Sequence, residues 1–146
     1  MKPRAIAIKA TAAALVLACL PAEACDVEVA PLSFGSINPL DRMDSDSATV
    51  LTVTCPSDTS FSAAASAGNG TFAERRMTSG SSALAYQLYV EASRSLVWGD
   101  GTAGTSVISG SAGPAGATSN VFGRVPAQPF AVPGAYGDTL VVTITY

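Results

Sequence analysis

The chain has 146 residues, of which 48% are hydrophobic and only 13% are charged, and its formal net charge is −3. This length suits one domain. It has no histidine, which excludes Ser-His-Asp and Cys-His catalytic arrangements. Its acidic balance provides no basic patch for a nucleic-acid backbone or an anionic membrane surface. We therefore expect neither an enzyme nor a nucleic-acid-binding protein, and no cofactor.

The first 24 residues have the pattern of a secretory signal. Lys2, Arg4 and Lys9 provide a positive start, an apolar run covers residues 10–20, and residues 22–24 (A-E-A) fit a cleavage site. The apolar run is shorter than the roughly 20 residues that a transmembrane helix needs. We therefore predict a signal peptide at 1–24, an exported mature domain at 25–146, and no transmembrane segment.

The mature part would keep two cysteines, Cys25 and Cys55, together with five arginines and ten acids. An even pair of cysteines in an exported chain predicts a disulfide, and two cysteines without histidine do not complete a zinc site. The third cysteine, Cys19, lies in the signal. The sequence V-L-A-C that ends at Cys19 resembles a lipoprotein box, which leaves lipidation there as an alternative.

Short alternating segments separated by Gly, Pro, Ser and Asn clusters are typical of an all-β sandwich or barrel. Strands are predicted, in chain order, at 25–34, 48–55, 61–65, 84–90, 106–109, 121–125 and 138–146. The resulting six or seven strands lie at or just below the number in an immunoglobulin-like sandwich. At Pro31 the alternation of the first strand changes phase, which predicts a kink or bulge where an edge strand can cross between sheets.

The last predicted strand, 138–146, carries its apolar side chains on one face: Leu140, Val142, Ile144 and Tyr146. We expect another part of the chain or another protein to cover this strand. In the second strand Cys55 is in phase with Leu51 and Val53, and Cys25 is in phase with Val27 and Val29. Both sulfur atoms can therefore face one core, which supports the disulfide.

Few residues suggest chemistry. Asp41, Asp44 and Asp46 could suggest calcium, but the glycine and distal glutamate of an EF-hand loop are missing, so a polar loop is preferred. Pairing of Asp100 with Asp138 or Glu91 is a remote alternative to solvated loop carboxylates. No metal site is expected.

Trp98-Gly99-Asp100-Gly101 lacks the G-K-[ST] sequence of a phosphate-binding loop and is interpreted as a tight turn, with Trp98 in the core. Arg75 and Arg76 are interpreted as surface charges.

An ordered set of motifs resembles the spore coat protein U domain, the subunit domain of Csu-type fimbriae built by the archaic chaperone–usher pathway. The resemblance covers nearly the whole mature region. The motifs are Cys25, L-S-F-G at 32–35, V-T-C at 53–55, R-R-M at 75–77, L-A-Y-Q-L-Y at 84–89, W-G-D-G at 98–101, F-G-R-V-P-A-Q at 122–128, P-G-A-Y-G-D-T-L at 133–140 and V-V-T-I-T-Y at 141–146.

The resemblance implies an incomplete immunoglobulin-like domain whose missing last strand is supplied in trans. Its partners would be a periplasmic chaperone, an outer-membrane usher and a neighbouring fimbrial subunit, on the way from the periplasm to the cell surface. The main chain of the added strand would pair with the domain. The acceptor groove would have Leu140, Val142, Ile144 and Tyr146 along one edge and Val27, Val29, Leu32 and Phe34 along the other.

In this family, fibre-forming subunits carry a donor strand ahead of the first cysteine, whereas the predicted cleavage leaves Cys25 at the N-terminus. This departure leads to the hypothesis of a tip or otherwise terminal subunit. Two alternatives remain: a secreted spore-coat or cell-surface protein that acts outside a fibre, and a tip adhesin with its own ligand surface. The candidate adhesive residues are Val97, Trp98, Val107, Ile108 and Phe130.

The terminal-subunit hypothesis makes a direct prediction for the exported protein. N-terminal sequencing should give Cys25 as the first residue, because the A-E-A site ends at residue 24. A mature form with about ten residues ahead of Cys25, enough for most of a strand, would contradict it.

Overall fold

The computed structural model describes residues 24–146, which form two antiparallel β-sheets. The predicted signal, apart from Ala24, lies outside the described residues. A short 3₁₀ turn occupies Pro39–Asp41. The strands are β1 (Asp26–Val29), β2 (Ser45–Thr54), β3 (Thr59–Ala65), β4 (Arg75–Ser79), β5 (Ser82–Tyr89), β6 (Ile108–Ala112), β7 (Ala117–Val125) and β8 (Val142–Thr145).

The first sheet has the order β1-β2-β7-β5-β4 and the second has the order β6-β3-β8. Alternate residues of each strand point between the sheets, so that Leu51, Val53 and Val121 of the first sheet share one core with Phe61 and Ala63 of the second. The predicted all-β, immunoglobulin-like sandwich is confirmed, with eight strands in the described region rather than six or seven. Within that region, no helix has the length and apolar character needed to cross a membrane.

The strand that the sequence pattern missed is β4. It begins with two charged residues, Arg75 and Arg76, so its sequence does not show the alternation of apolar and polar residues that predicts a strand. It nevertheless pairs with β5 from Arg75↔Tyr86 to Ser79↔Ser82. The connecting loop has two residues, and Gly80 adopts φ +59°, as the first position of a tight hairpin turn can require.

The first strand is shorter than predicted, because regular pairing of β1 with β2 ends at Val29. Pro31 has no N–H to donate to a ladder. Hydroxyls of β2 hold the following segment instead: Thr49 Oγ1 donates to Ala30 O over 2.7 Å, and Ser47 Oγ donates to Ser33 O over 2.6 Å. The segment therefore stays beside β2 and does not cross to the other sheet.

The last strand is also shorter than the predicted 138–146, because β8 pairs with β3 only over residues 142–145. The alternation is nevertheless present, with Val142 and Ile144 packed against the core and Thr143 and Thr145 exposed. Ahead of β8, side chains and isolated backbone bonds replace the ladder.

Cys25 and Cys55 form the predicted disulfide, with their Cα atoms 4.2 Å apart. The bond joins the residue before β1 to the residue after β2 and closes a loop with a sequence separation of 30 residues.

Replacement of both cysteines by alanine should lower the free energy of unfolding by about 3–4 kcal/mol, because the unfolded chain regains the entropy of an open loop. Urea denaturation monitored by circular dichroism measures this change. Reduction of the wild-type protein should reproduce it, and a loss below about 1 kcal/mol would show that the bond adds little to stability.

Candidate functional site

A groove opens between the segment that follows β1 and the segment that precedes β8. Its inner part is a cavity of about 500 Å³ lined by Leu88, Trp98 and Val121, all of them core residues. Val29 lies at one margin and Leu140 at the other. The cavity therefore reaches down to the core along this side of the sandwich, while these three residues stay at most 5% exposed.

A second cavity, of about 650 Å³, continues the groove between residues 35–39 and 131–135. The two cavities share Leu32, Phe34, Met77 and Tyr136, so they form one elongated depression. We call this depression the groove. Its margins are residues 29–39 and 131–140, and its floor consists of Met77, Leu84, Tyr86, Leu88, Trp98 and Val121.

The groove lies next to two sheet edges. In the described region β1 pairs only with β2, and β8 pairs only with β3. An edge strand leaves backbone N–H and C=O groups on its outer side without a ladder partner. Val29 ends β1 and Leu140 lies two residues before β8, so the two sheet edges flank the cavity that reaches the core.

Gly123 of β7 lies beneath one margin of the groove. A Cβ at this position would come within 2.8 Å of Phe34 Cζ and 3.1 Å of Leu32 Cδ1. Both side chains therefore pack directly on the backbone of β7, and any larger residue at 123 would push them outward. Phe34 also meets Tyr86 edge-on, with ring centroids 6.2 Å apart.

The eight predicted groove residues fall into three groups. Val29, Leu32, Phe34 and Leu140 line the groove. Val142 and Ile144 are half-buried against the core without lining either cavity. Val27 is 36% exposed and Tyr146 is 55% exposed, and neither lines the groove.

Sequence reasoning missed other lining residues, including Ile37, Met77 and Tyr136. Met77 belongs to the unpredicted strand β4, and Tyr136 lies in a glycine-rich turn where alternation gives no signal. Leu32 and Phe34 are two residues apart, but Ile37 is three residues after Phe34. The alternation shifts at Gly35, where φ is +67°, so Ile37 did not appear as part of the same face.

A polar pair lies at the inner end of the groove. Tyr86 Oη donates to Asp138 Oδ2 over 2.6 Å, and the same carboxylate accepts the backbone N–H groups of Asn69 and Thr139. Burial, reinforced by the hydrogen bond and negative charge of Asp138, raises the pKa of Tyr86 well above its usual range. The phenol is therefore a fixed hydrogen-bond donor rather than an acid.

Arg75 is not a surface charge, contrary to the prediction, because it is 0% exposed. Its guanidinium donates to Gln87 Oε1 at 2.5 Å, to Trp98 O at 2.6 Å and to Ser66 O at 2.8 Å, and it lies 5.5 Å from the Phe72 ring centroid. Burial lowers the pKa of Arg75, an effect that Tyr86 and Asp138 oppose. The nearest groups it binds are neutral oxygens, so the charge is satisfied by hydrogen bonds.

The three aspartates considered for calcium each contact another side chain. Arg124 donates to both carboxylate oxygens of Asp46 at 2.7 and 2.9 Å and lies 3.4 Å from Asp44, while Asp41 accepts from Asn38. The hydrogen bond from Arg124 is the main reason that the pKa of Asp46 is lowered. These contacts describe an ion-paired loop and give no support to the calcium alternative.

Asp100 accepts from Thr102, and Glu91 accepts from Ser95 and Leu96. None of these bonds involves Asp138. The structure therefore gives no support to a catalytic pairing of Asp100 with Asp138 or Glu91.

Trp98 is a core residue, as predicted, with 2% exposure and an indole N–H that donates to Ala63 O over 3.0 Å. Ile108 is also buried, which removes both residues from the adhesive candidates. Val97 and Val107 are half-buried, whereas Phe130 is 93% exposed.

Comparison with known proteins identifies a family for the sequence and a similar solved structure for the fold. The Spore Coat Protein U domain family matches residues 10–143. No curated protein matches the chain significantly. A chain in the crystal structure of the CsuC–CsuE chaperone–tip adhesion subunit pre-assembly complex, from archaic chaperone-usher Csu pili of Acinetobacter baumannii, is similar in fold, with a TM-score of 0.52 and 19% identity. That similarity covers 84% of this chain and 40% of the other.

The family match spans most of the sequence, including every strand that borders the groove except the last two residues of β8. The fold agrees with what the sequence resemblance implied. This chain belongs to the Spore Coat Protein U domain family.

Proposed function

We propose that this protein is a subunit of a bacterial surface fimbria assembled by a chaperone–usher pathway, and that its groove accepts a β-strand from a partner. The observation that carries the proposal is the apolar groove between two unpaired sheet edges, with core residues on its floor. A strand placed there would bond to an edge through its main chain and bury alternate side chains over the floor. The role is structural rather than enzymatic.

The partners that we propose are a periplasmic chaperone, an outer-membrane usher and a neighbouring fimbrial subunit. The similar fold found in a chaperone–tip adhesion subunit complex supports the chaperone. A signal peptide at 1–24 would bring the chain to the periplasm, and the Cys25–Cys55 disulfide fits that oxidising compartment. The final location would be the cell surface.

The acceptor residues that we propose differ in how closely they would contact an inserted strand. Val29, Leu32, Phe34 and Leu140 would contact the inserted side chains directly. Val142 and Ile144 would support that wall from the core side. Val27 and Tyr146 are exposed and would gain cover where the added strand runs past the edges of β1 and β8.

An added strand should stabilise the protein by linkage. A synthetic peptide of alternating valine and threonine, at about 100 times its dissociation constant, should add about 2.7 kcal/mol and raise Tm by roughly 10 °C. Differential scanning calorimetry measures the shift. A scrambled peptide with valines on both faces should have a much smaller effect. If the protein folds reversibly and no alternating peptide raises its Tm, the alternative of a coat protein that acts outside a fibre would be favoured.

Two adjacent positions separate groove binding from general edge effects. Leu140→Lys should weaken peptide binding at least about tenfold, because it brings an unpaired charge into the apolar groove. Val141→Lys is the matched control, since Val141 is 66% exposed on the opposite face. Equal affinities of the two variants in isothermal titration calorimetry would contradict the assignment of the groove.

Adhesion is a second candidate function, favoured by exposed apolar side chains on two neighbouring loops. Leu40 is 82% exposed and Met43 is 73% exposed, while Phe130 and Val132 are 93% and 56% exposed. The N–H of Ala127 donates to Asp44 Oδ1 over 3.0 Å, which holds the two loops together at one end of the sandwich. Such a patch would favour attachment to apolar surfaces and hence biofilm formation.

If this patch adheres, Phe130→Ser combined with Leu40→Ser should reduce retention on polystyrene beads about tenfold, because two large apolar side chains no longer leave water on contact. Val50→Ser on the outer face of β2, where Val50 is 41% exposed, is the control. Retention equal to that of the control would contradict an adhesive role for these loops.

A further inference from the structure

The segment that leads into β8, residues 137–141, is held without a regular ladder. Gly137 exchanges two backbone hydrogen bonds with Thr78 of β4, at 2.9 and 3.1 Å. Val141 exchanges two bonds with Ser66: its carbonyl accepts from Ser66 N at 2.9 Å, and its N–H donates to Ser66 Oγ at 3.0 Å. We call residues 137–141 the final segment. Its residues 137–140 belong to the margin of the groove that contains Leu140.

Arg75 lies behind this margin and connects its supports. Its guanidinium binds Ser66 O, and Ser66 in turn binds Val141. It also binds Trp98 O, and Trp98 lies on the groove floor. A single buried side chain therefore joins the floor to the residue that holds the end of the final segment.

Asp138 fixes the other end of the final segment. Its carboxylate accepts from Tyr86, which is the β5 partner of Arg75, and from the N–H of Asn69. Gly68 adopts φ +64°, and a side chain at this position would collide with the carboxylate. The turn at 68–69 is thus shaped around Asp138.

We propose that Arg75 and Asp138 are positioning residues of the groove, which act through Ser66 and Tyr86 to hold the final segment at the separation from residues 29–34 that an incoming strand requires. This proposal rests on the strand acceptance proposed above. Arg75 lines neither cavity, whereas Asp138 belongs to the margin itself and points its carboxylate to Tyr86 and Asn69. The effect of Arg75 and Asp138 is on the geometry of one margin.

The test compares conservative variants that keep side-chain size. Asp138→Asn retains an acceptor oxygen but loses the charge, and Tyr86→Phe removes one hydrogen bond. Arg75→Lys retains the charge but loses the planar fork that reaches three oxygens. The matched controls are Tyr89→Phe, on the opposite face of the same strand, and Asp100→Asn, in the turn after Trp98.

Two measurements are made on each variant: the dissociation constant of the alternating valine–threonine peptide, and amide hydrogen exchange. Each positioning variant should bind the peptide about tenfold more weakly, the equivalent of one well-formed hydrogen bond. Exchange at Val141 and along β8 should accelerate, while exchange in the β2–β7 pair stays as in the wild type. The controls should change neither quantity.

Uniform acceleration of exchange in both sheets would show a merely structural role and overturn the proposal, as would unchanged peptide affinity. A wild-type protein that binds no peptide would instead reject strand acceptance. Exchange at Val141 would then still report whether Arg75 and Asp138 hold the final segment, so the two failures are distinguishable.

Discussion

The groove that reaches the core between β1 and β8 is the constraint on which the other features depend. Core residues Leu88 and Trp98 are reached there through the groove, although each is at most 5% exposed. Apolar packing is the main source of stability in a domain of this size, and a cavity beside the core leaves some of those contacts unmade. The disulfide, the network around Arg75 and the bonds of the final segment all stabilise structure next to this opening.

The buried Arg75 is satisfied by hydrogen bonds to three segments of the chain. A buried cation is costly unless its donors are satisfied. Here the acceptors are two main-chain carbonyls and one amide oxygen, drawn from three separate segments. Such an arrangement fixes the relative position of those segments, because removal of any one acceptor would leave a donor unpaired in a dry environment. Its contribution is to geometry rather than to stability alone.

The parts of the fold that follow from local periodicity could be predicted from the sequence. Alternation located β2, β3, β5 and β7, and the inward phase of Cys55 with Leu51 and Val53 anticipated the disulfide. The resemblance to the spore coat protein U domain supplied the family, which periodicity could not. Four of the eight predicted groove residues line the groove.

The remainder depends on contacts distant in sequence. Arg75 looks like a surface residue until Ser66, Gln87 and Trp98 are brought around it. Residues 30–34 look like a continuing strand because periodicity cannot show that hydroxyls of β2 replace the ladder. Tyr136 becomes a groove residue only when its turn meets the segment after β1. In each case tertiary contacts override local propensity.

The position of the Cys25–Cys55 bond has a consequence for the margin of the groove that contains Val29. β1 has only four residues, and all of its ladder pairing is to β2. In the reduced chain, this margin would be held only by the β1–β2 ladder, by the hydroxyl bonds from Ser47 and Thr49, and by packing on β7. For the strand acceptance proposed above, oxidation before capture would fix this margin in place, and the supply of oxidant would then influence how many molecules can accept a strand.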